Sequence, residues 1–173
     1  MKEMYNSINE LARGIVEKCA ERGLKISTAE SCTGGMISAA VTAVSGSSAV
    51  IELGVCSYSN RIKREVLGVT EDTLERFSEY SIECAEEMAR GAIKISGADF
   101  AVSTSGVAGP SGGTEENPVG TVYICAADKD SFTSERCLFE NKGRDYIRAA
   151  AAEKALKMLL DKITDKKKGK ENG

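Results

Sequence analysis

Three stretches of this chain have residue types and spacings that can do chemistry. The first is Ala29-Glu30-Ser31-Cys32-Thr33-Gly34-Gly35. A serine at the start of a helix, followed by two glycines, sets a hydroxyl beside unpaired backbone N–H groups and the positive end of the helix dipole. Such a place suits an activated nucleophile with an oxyanion hole, or an anchored phosphate. The plainer reading is that Ser31 or Thr33 only caps the helix and that Gly34 and Gly35 permit tight packing. The second stretch is Tyr58-Ser59-Asn60-Arg61-Ile62-Lys63, with Lys63 one turn into a short helix. Lysine serves as a base only when neutral, and bringing its pKa of about 10.4 down by about 3 costs about 4 kcal/mol. Burial or a neighbouring cation must supply it, and Arg61, Arg64, Arg144 and Arg148 are the candidate cations. The ordinary alternative is a solvated helix lysine. The third stretch, Ser105 to Thr114, holds four glycines in ten residues: Gly106, Gly109, Gly112 and Gly113. They let the backbone approach a ligand closely, although a plain surface loop has the same composition. Neither a Walker loop nor a dinucleotide fingerprint is present.

What is missing sharpens this. The chain has no histidine, so Ser-His-Asp, Cys-His and imidazole metal chemistry are excluded, and any hydrolysis must run on other side chains. Its six cysteines form no CxxC pair and match no zinc or iron–sulfur spacing. Most sit among apolar neighbours and read as small buried hydrophobes, with Cys32 kept in view because it follows Ser31.

The elements that must position these residues alternate between helix and strand. Met4, Ile8, Leu11, Ile15 and Cys19 follow a helical period that Gly23 ends. Strands are predicted over 25–29, 50–58 and 99–105, and a hairpin over 121–127 and 132–139. Helices are predicted around Met36–Val44 and Asn60–Leu67, from the Ser81 cap to Gly97, and from Arg144 to Ile163, with a Thr70-led segment between the second and third. Helices between strands imply a mostly parallel sheet covered on both faces, made mixed by the closing hairpin. Ligands then bind at the carboxyl ends of the strands, where the first and third stretches fall.

The 173 residues are expected to form one domain over 1–163, followed by a flexible lysine-rich tail over 164–173. Twenty-three basic against twenty-six acidic side chains, a net charge of −3, offer no electrostatic footprint for nucleic acid. No apolar run approaches membrane-spanning length, and the N-terminus lacks a signal-peptide core, so a cytoplasmic protein is expected.

Thr28-Ala29-Glu30-Ser31-Cys32-Thr33-Gly34-Gly35, Tyr58-Ser59-Asn60 with Lys63, and Gly106 to Thr114 leading to Pro118-Val119-Gly120-Thr121-Val122-Tyr123 carry a resemblance. In this order they resemble the CinA C-terminal domain family, the nicotinamide-nucleotide amidases, over about Ile8 to Leu160. The resemblance implies a three-layer α/β/α sandwich around a mixed five-stranded sheet. It implies removal of ammonia from nicotinamide mononucleotide, giving nicotinic acid mononucleotide. Ser31 resembles the family's nucleophile, Lys63 its general base and Tyr58 the tyrosine that assists them. Thr33, Gly34, Gly35, Ser105, Gly106, Gly109, Gly112, Gly113, Arg144 and Arg148 are the expected substrate contacts. Ser105 stands where many members have threonine. The altered order of Lys142-Gly143-Arg144-Asp145 leaves Arg144 and Arg148 as alternatives for the family's arginine. No metal and no organic cofactor is implied; the expected partners are a small-molecule nucleotide and further copies of the chain. Two other classes stay open: a nucleotide-binding or regulatory module without catalysis, and a phosphate-transfer enzyme that uses the glycines as anion cradles.

Overall fold

A computed structural model describes residues 1–168, with side chains through Lys166. Five strands, β1 (Ile26–Glu30), β2 (Ile51–Cys56), β3 (Phe100–Gly106), β4 (Thr121–Asp128) and β5 (Phe132–Leu138), form one sheet in the order β2-β1-β3-β4-β5. β1 pairs in parallel with β2 and β3, while β3–β4 and β4–β5 are antiparallel. The mixed sheet expected from the sequence is therefore present. Every residue of β1 and β4 is buried, as strands covered on both faces require.

Six helices cover the sheet: α1 (Lys2–Arg22), α2 (Met36–Thr42), α3 (Asn60–Glu65), α4 (Glu71–Phe77), α5 (Ile82–Ser96) and α6 (Arg144–Lys168). Two apolar clusters lie on opposite faces. The larger joins α1, α2 and α6 to the sheet through Ile15, Ile37, Phe100, Ile124, Ile147, Leu156 and Leu159. The smaller packs α5 on Ala29, Ala101, Cys125 and Ala127 through Cys84, Met88 and Ala92. Serine and threonine at the N-caps begin the helices as their hydrogen bonds dictate: Ser59, Thr70 and Ser81 accept from the N–H groups of Ile62, Thr73 and Cys84.

Two expectations need adjustment. The last helix runs through Lys168 rather than ending at Ile163, because Arg22 Nη1 donates to the Ile163 carbonyl and Lys162 and Lys166 reach the half-turn around Asp128 and Asp130. Residues 169–173 of the expected tail lie outside the described residues. The second concerns α2. Neither Ser31 nor Thr33 caps it; Gly35 occupies the N-cap and the capping group is the Glu30 carboxylate, at the end of β1.

Candidate active site

The carboxyl ends of β1, β2 and β3 stand side by side, bound together by Ser57 N–H to the Glu30 carbonyl (2.8 Å) and Ser31 N–H to the Thr104 carbonyl (2.9 Å). The chain leaves β1 toward β2 on one side and returns to β3 on the other, which opens a crevice above β1. A cleft of about 150 Å³ lies there, lined by Ser31, Cys32, Tyr58, Asn60, Lys63, Glu79, Tyr80, Arg144 and the loop from Gly106 to Gly112. That volume accommodates a single benzene-sized ring.

Glu30 shapes the first wall. Fully buried, it accepts from the N–H groups of Gly35 (3.0 Å), Ile37 (3.1 Å) and Ser38 (2.8 Å) and from the Ser38 hydroxyl (2.7 Å). Four donors at a helix N-terminus compensate a buried carboxylate. The bend from β1 into α2 is thereby fixed, and Ser31 sits at its tip, 8% exposed. Arg148 braces the same bend from α6, donating through Nε to the Cys32 carbonyl (3.2 Å) and through Nη2 to the Thr33 carbonyl (2.9 Å).

Lys63 faces Ser31 from α3. Its Nζ lies 3.3 Å from Ser31 Oγ, and the residue is only 2% exposed. Burial lowers its pKa from the ordinary 10.5, partly opposed by Cys84, Glu79 and Cys32. Of the two means, burial or a neighbouring cation, burial is the one present: Arg61 and Arg64 turn outward to Glu65 and Glu71, and Arg144 and Arg148 hold other partners. Burial also pushes the Cys32 thiol up to about 12, so Cys32 is a protonated wall residue.

Arg144, the first residue of α6, ties the rim together. Nη2 donates to the Tyr58 hydroxyl (2.6 Å) and Nη1 to the Gly109 carbonyl (2.8 Å). Gly109 has φ 75°, and a Cβ there would lie 2.6 Å from Val119 Cγ1, so only glycine fits this position without displacement.

Of the residues singled out in the sequence, Ser31, Tyr58, Lys63, Gly106, Gly109, Gly112 and Arg144 line the cleft. Thr33, Gly34, Gly35, Ser105, Gly113 and Arg148 do not. Thr33 is fully buried against the Thr104 hydroxyl, Ser105 donates to the Glu79 carbonyl, and Gly34 packs beside Arg148. Of the two arginines, Arg144 lines the cleft and Arg148 lies behind it. Glu79 and Tyr80 are cleft residues that the sequence does not announce, since they belong to a short link with no motif. Glu30 had a readable signal, an acidic residue preceding a helix N-terminus. Among the described residues no three His, Cys, Asp or Glu side chains gather as a metal site, and no helix is long and apolar enough to cross a membrane.

The fold defines an α/β sandwich protein with a cleft at the carboxyl ends of its parallel strands. The chain belongs to the CinA C-terminal domain family, whose pattern matches residues 8–163. It is 44% identical over 153 residues to a CinA-like protein of Shewanella sediminis, covering 88% of this chain and 36% of that one. It is 43% identical over 151 residues to a CinA-like protein of Akkermansia muciniphila, covering 87% and 36%. The chain thus spans about a third of the length of the curated relatives it matches. Among solved structures, the competence/damage inducible protein CihA of Agrobacterium tumefaciens superposes with a TM-score of 0.88 at 43% identity, covering 90% of this chain and 94% of that one. A CinA superfamily protein of Escherichia coli gives 0.84 at 31% identity, covering 88% of each chain.

Proposed function

We propose that this chain hydrolyses the carboxamide of nicotinamide mononucleotide to nicotinic acid mononucleotide and ammonia, with Ser31 as nucleophile and Lys63 as general base. One observation carries the reading: a buried lysine amine, its pKa lowered by burial, 3.3 Å from the hydroxyl of a serine at the tip of a strand-to-helix bend. In a chain without histidine, this is the pairing able to activate a hydroxyl. The neutral amine takes the Ser31 proton as Oγ bonds to the carboxamide carbon. The tetrahedral oxyanion is received by the N–H groups of Cys32 and Thr33, at the bend that follows Ser31. Lys63 returns the proton to the departing ammonia, and water then cleaves the ester at Ser31. Tyr58, held by Arg144, stands at the mouth of the cleft beside the ring. The nucleotide's ribose and phosphate extend outward, past a cleft sized for the ring alone.

The test is ammonia release from nicotinamide mononucleotide between about pH 6 and pH 10. Wild-type activity should rise with pH through the lowered pKa of Lys63 and then level. Ser31→Ala should cost at least roughly a thousandfold. Lys63→Arg keeps the charge but cannot release a proton, so it should lose as much as Lys63→Ala. An active arginine variant overturns the base assignment. Nucleotide binding by wild type without ammonia release would make the chain a binding or regulatory module.

A further inference from the structure

One charged side chain in the cleft has no part in that chemistry. Glu79 lies in the link Ser78–Ser81 between α4 and α5 and lines the same cleft as Ser31, Lys63 and Arg144. Among the described residues its carboxylate has no hydrogen-bond or ion-pair partner, while every other charged group of the cleft is engaged: Lys63 with Ser31, and Arg144 with Tyr58 and Gly109.

The backbone around Glu79 is held firmly. Ser78 sits at φ 67°, ψ 172°, a region that residues with a Cβ rarely occupy. The Ser78 hydroxyl accepts from the Tyr80 N–H (3.1 Å), and its carbonyl accepts from the Ser81 hydroxyl (2.9 Å). From the end of β3, the Ser105 hydroxyl donates to the Glu79 carbonyl (2.6 Å). These bonds present both Glu79 and Tyr80 to the cleft. The negative charge of Glu79 is close enough to oppose the lowering of the Lys63 pKa and to help raise that of the Tyr80 phenol, which burial drives first.

An unpaired carboxylate in the cleft that holds Ser31 and Lys63 acts on ligand charge. It accepts from the –NH2 of a carboxamide, attracts a cationic ring and repels a second carboxylate. We propose that Glu79 is a specificity-determining residue, selecting nucleotides whose ring is a positively charged pyridinium bearing an uncharged carboxamide and disfavouring the carboxylate that hydrolysis leaves. This rests on the amidase reading of the same cleft. It assigns the product's departure to repulsion: the group that entered as a hydrogen-bond donor becomes an anion facing Glu79.

Three ligands separate these effects: nicotinamide mononucleotide, its reduced dihydro form with a neutral ring, and nicotinic acid mononucleotide. Their affinities are measured by calorimetry on the Ser31→Ala protein, which does not consume them, with Glu79 intact and as Glu79→Gln or Glu79→Asp. With Glu79, the oxidised amide should bind about tenfold more tightly than the reduced amide and than the acid. Glu79→Gln should bring both ratios to within about twofold, and Glu79→Asp, which keeps the charge, should retain much of them. Unchanged ratios in Glu79→Gln, with wild type releasing ammonia, overturn the Glu79 assignment alone. Ratios that collapse in Glu79→Gln while wild type releases no ammonia uphold it and overturn the amidase reading.

Discussion

Arg148 braces the bend that carries Ser31 without lining the cleft. Its guanidinium holds the carbonyls of Cys32 and Thr33. In a planar trans peptide the N–H points opposite to the C=O, so fixing the Cys32 carbonyl fixes the direction of the Thr33 N–H. That N–H is one of the two donors assigned to the oxyanion. Replacing Arg148 with Met should therefore lower kcat by roughly tenfold with little change in KM, because the lost alignment matters most in the transition state. Arg148→Lys, a single point donor in place of a fork, should recover only part of kcat. Steady-state kinetics of the three proteins decide it; a change in KM alone would return Arg148 to the substrate contacts. The resemblance left Arg144 and Arg148 as alternatives for the family's arginine, because a motif match shows that a side chain is near a loop, not on which side of it. For Ser31 and Lys63 the residues alone left a helix cap and a solvated lysine as the plain alternatives; what the structure adds is that both are buried, with Lys63 Nζ 3.3 Å from Ser31 Oγ. Glu79 was not legible, because what brings it to the cleft is a hydrogen bond from Ser105, twenty-six residues away in the chain.

At the level of elements, Lys63 is positioned by a contact that no motif marks. Lys63 leaves α3 into the turn Val66-Leu67-Gly68-Val69, closed by Gly68 N–H to the Arg64 carbonyl and Val69 N–H to the Lys63 carbonyl (both 3.0 Å). This turn rests on α5 at Gly91, where a Cβ would run into the backbone carbonyl of Leu67. Gly91 is thus an interior helix glycine retained for close approach, despite its cost of about 1 kcal/mol in helix propensity. Gly91→Ala must push α3 away from α5. We expect a loss of about 2–4 kcal/mol in stability by urea unfolding. Ammonia release should fall in protein that remains folded, because Lys63 moves with the turn. Full activity in the folded variant would show that α3 is placed by other contacts. The elements themselves were largely readable. The helical period of α1, the Thr70-led segment, the Ser81 cap and the closing hairpin are local signals, and the structure has them where they were expected. The cap of α2 was misread because its donor set converges on Glu30, whose reach around the bend depends on tertiary geometry. The extent of α6 was misread because the Asp128 turn that receives Lys162 and Lys166 is distant in sequence.

For the whole molecule, the same burial that lowers the Lys63 pKa shapes how stability depends on pH. Lys63 has a lower pKa in the native protein than unfolded, where it is near 10.5. Between those two values the unfolded chain binds the extra proton, so stability rises with pH, by up to about 1.4 kcal/mol for each unit. The buried thiols work in the other direction. Burial pushes Cys19 and Cys137 up to about 11, and Cys32, Cys84 and Cys125 to about 12, from an ordinary 9.0. Above pH 9 the unfolded chain loses these five protons while the native chain keeps them, so stability falls, with a slope approaching five proton equivalents. At low pH a third group acts. Asp128, despite burial that works against its charge, is held below the usual carboxylate range by the N–H groups of Asp130 and Ser131 and by Lys162 and Lys166. Its contribution is present above the unfolded carboxylate pKa and is lost as pH falls through the lowered native value. Urea midpoints measured from about pH 3 to pH 11 should therefore climb out of acid, rise gently where the lowered Lys63 pKa and its unfolded value part, and drop steeply above pH 9 as the thiols of the unfolded chain ionise. Lys63→Met should flatten the gentle rise and raise stability at neutral pH, while eliminating ammonia release. Asp128→Asn should lower the acid limb and leave ammonia release intact, since the hairpin lies at the opposite end of β3 and β4 from the cleft. A neutral-pH stability that Lys63→Met does not increase would mean that the native amine is already charged, and the base would have to be sought elsewhere.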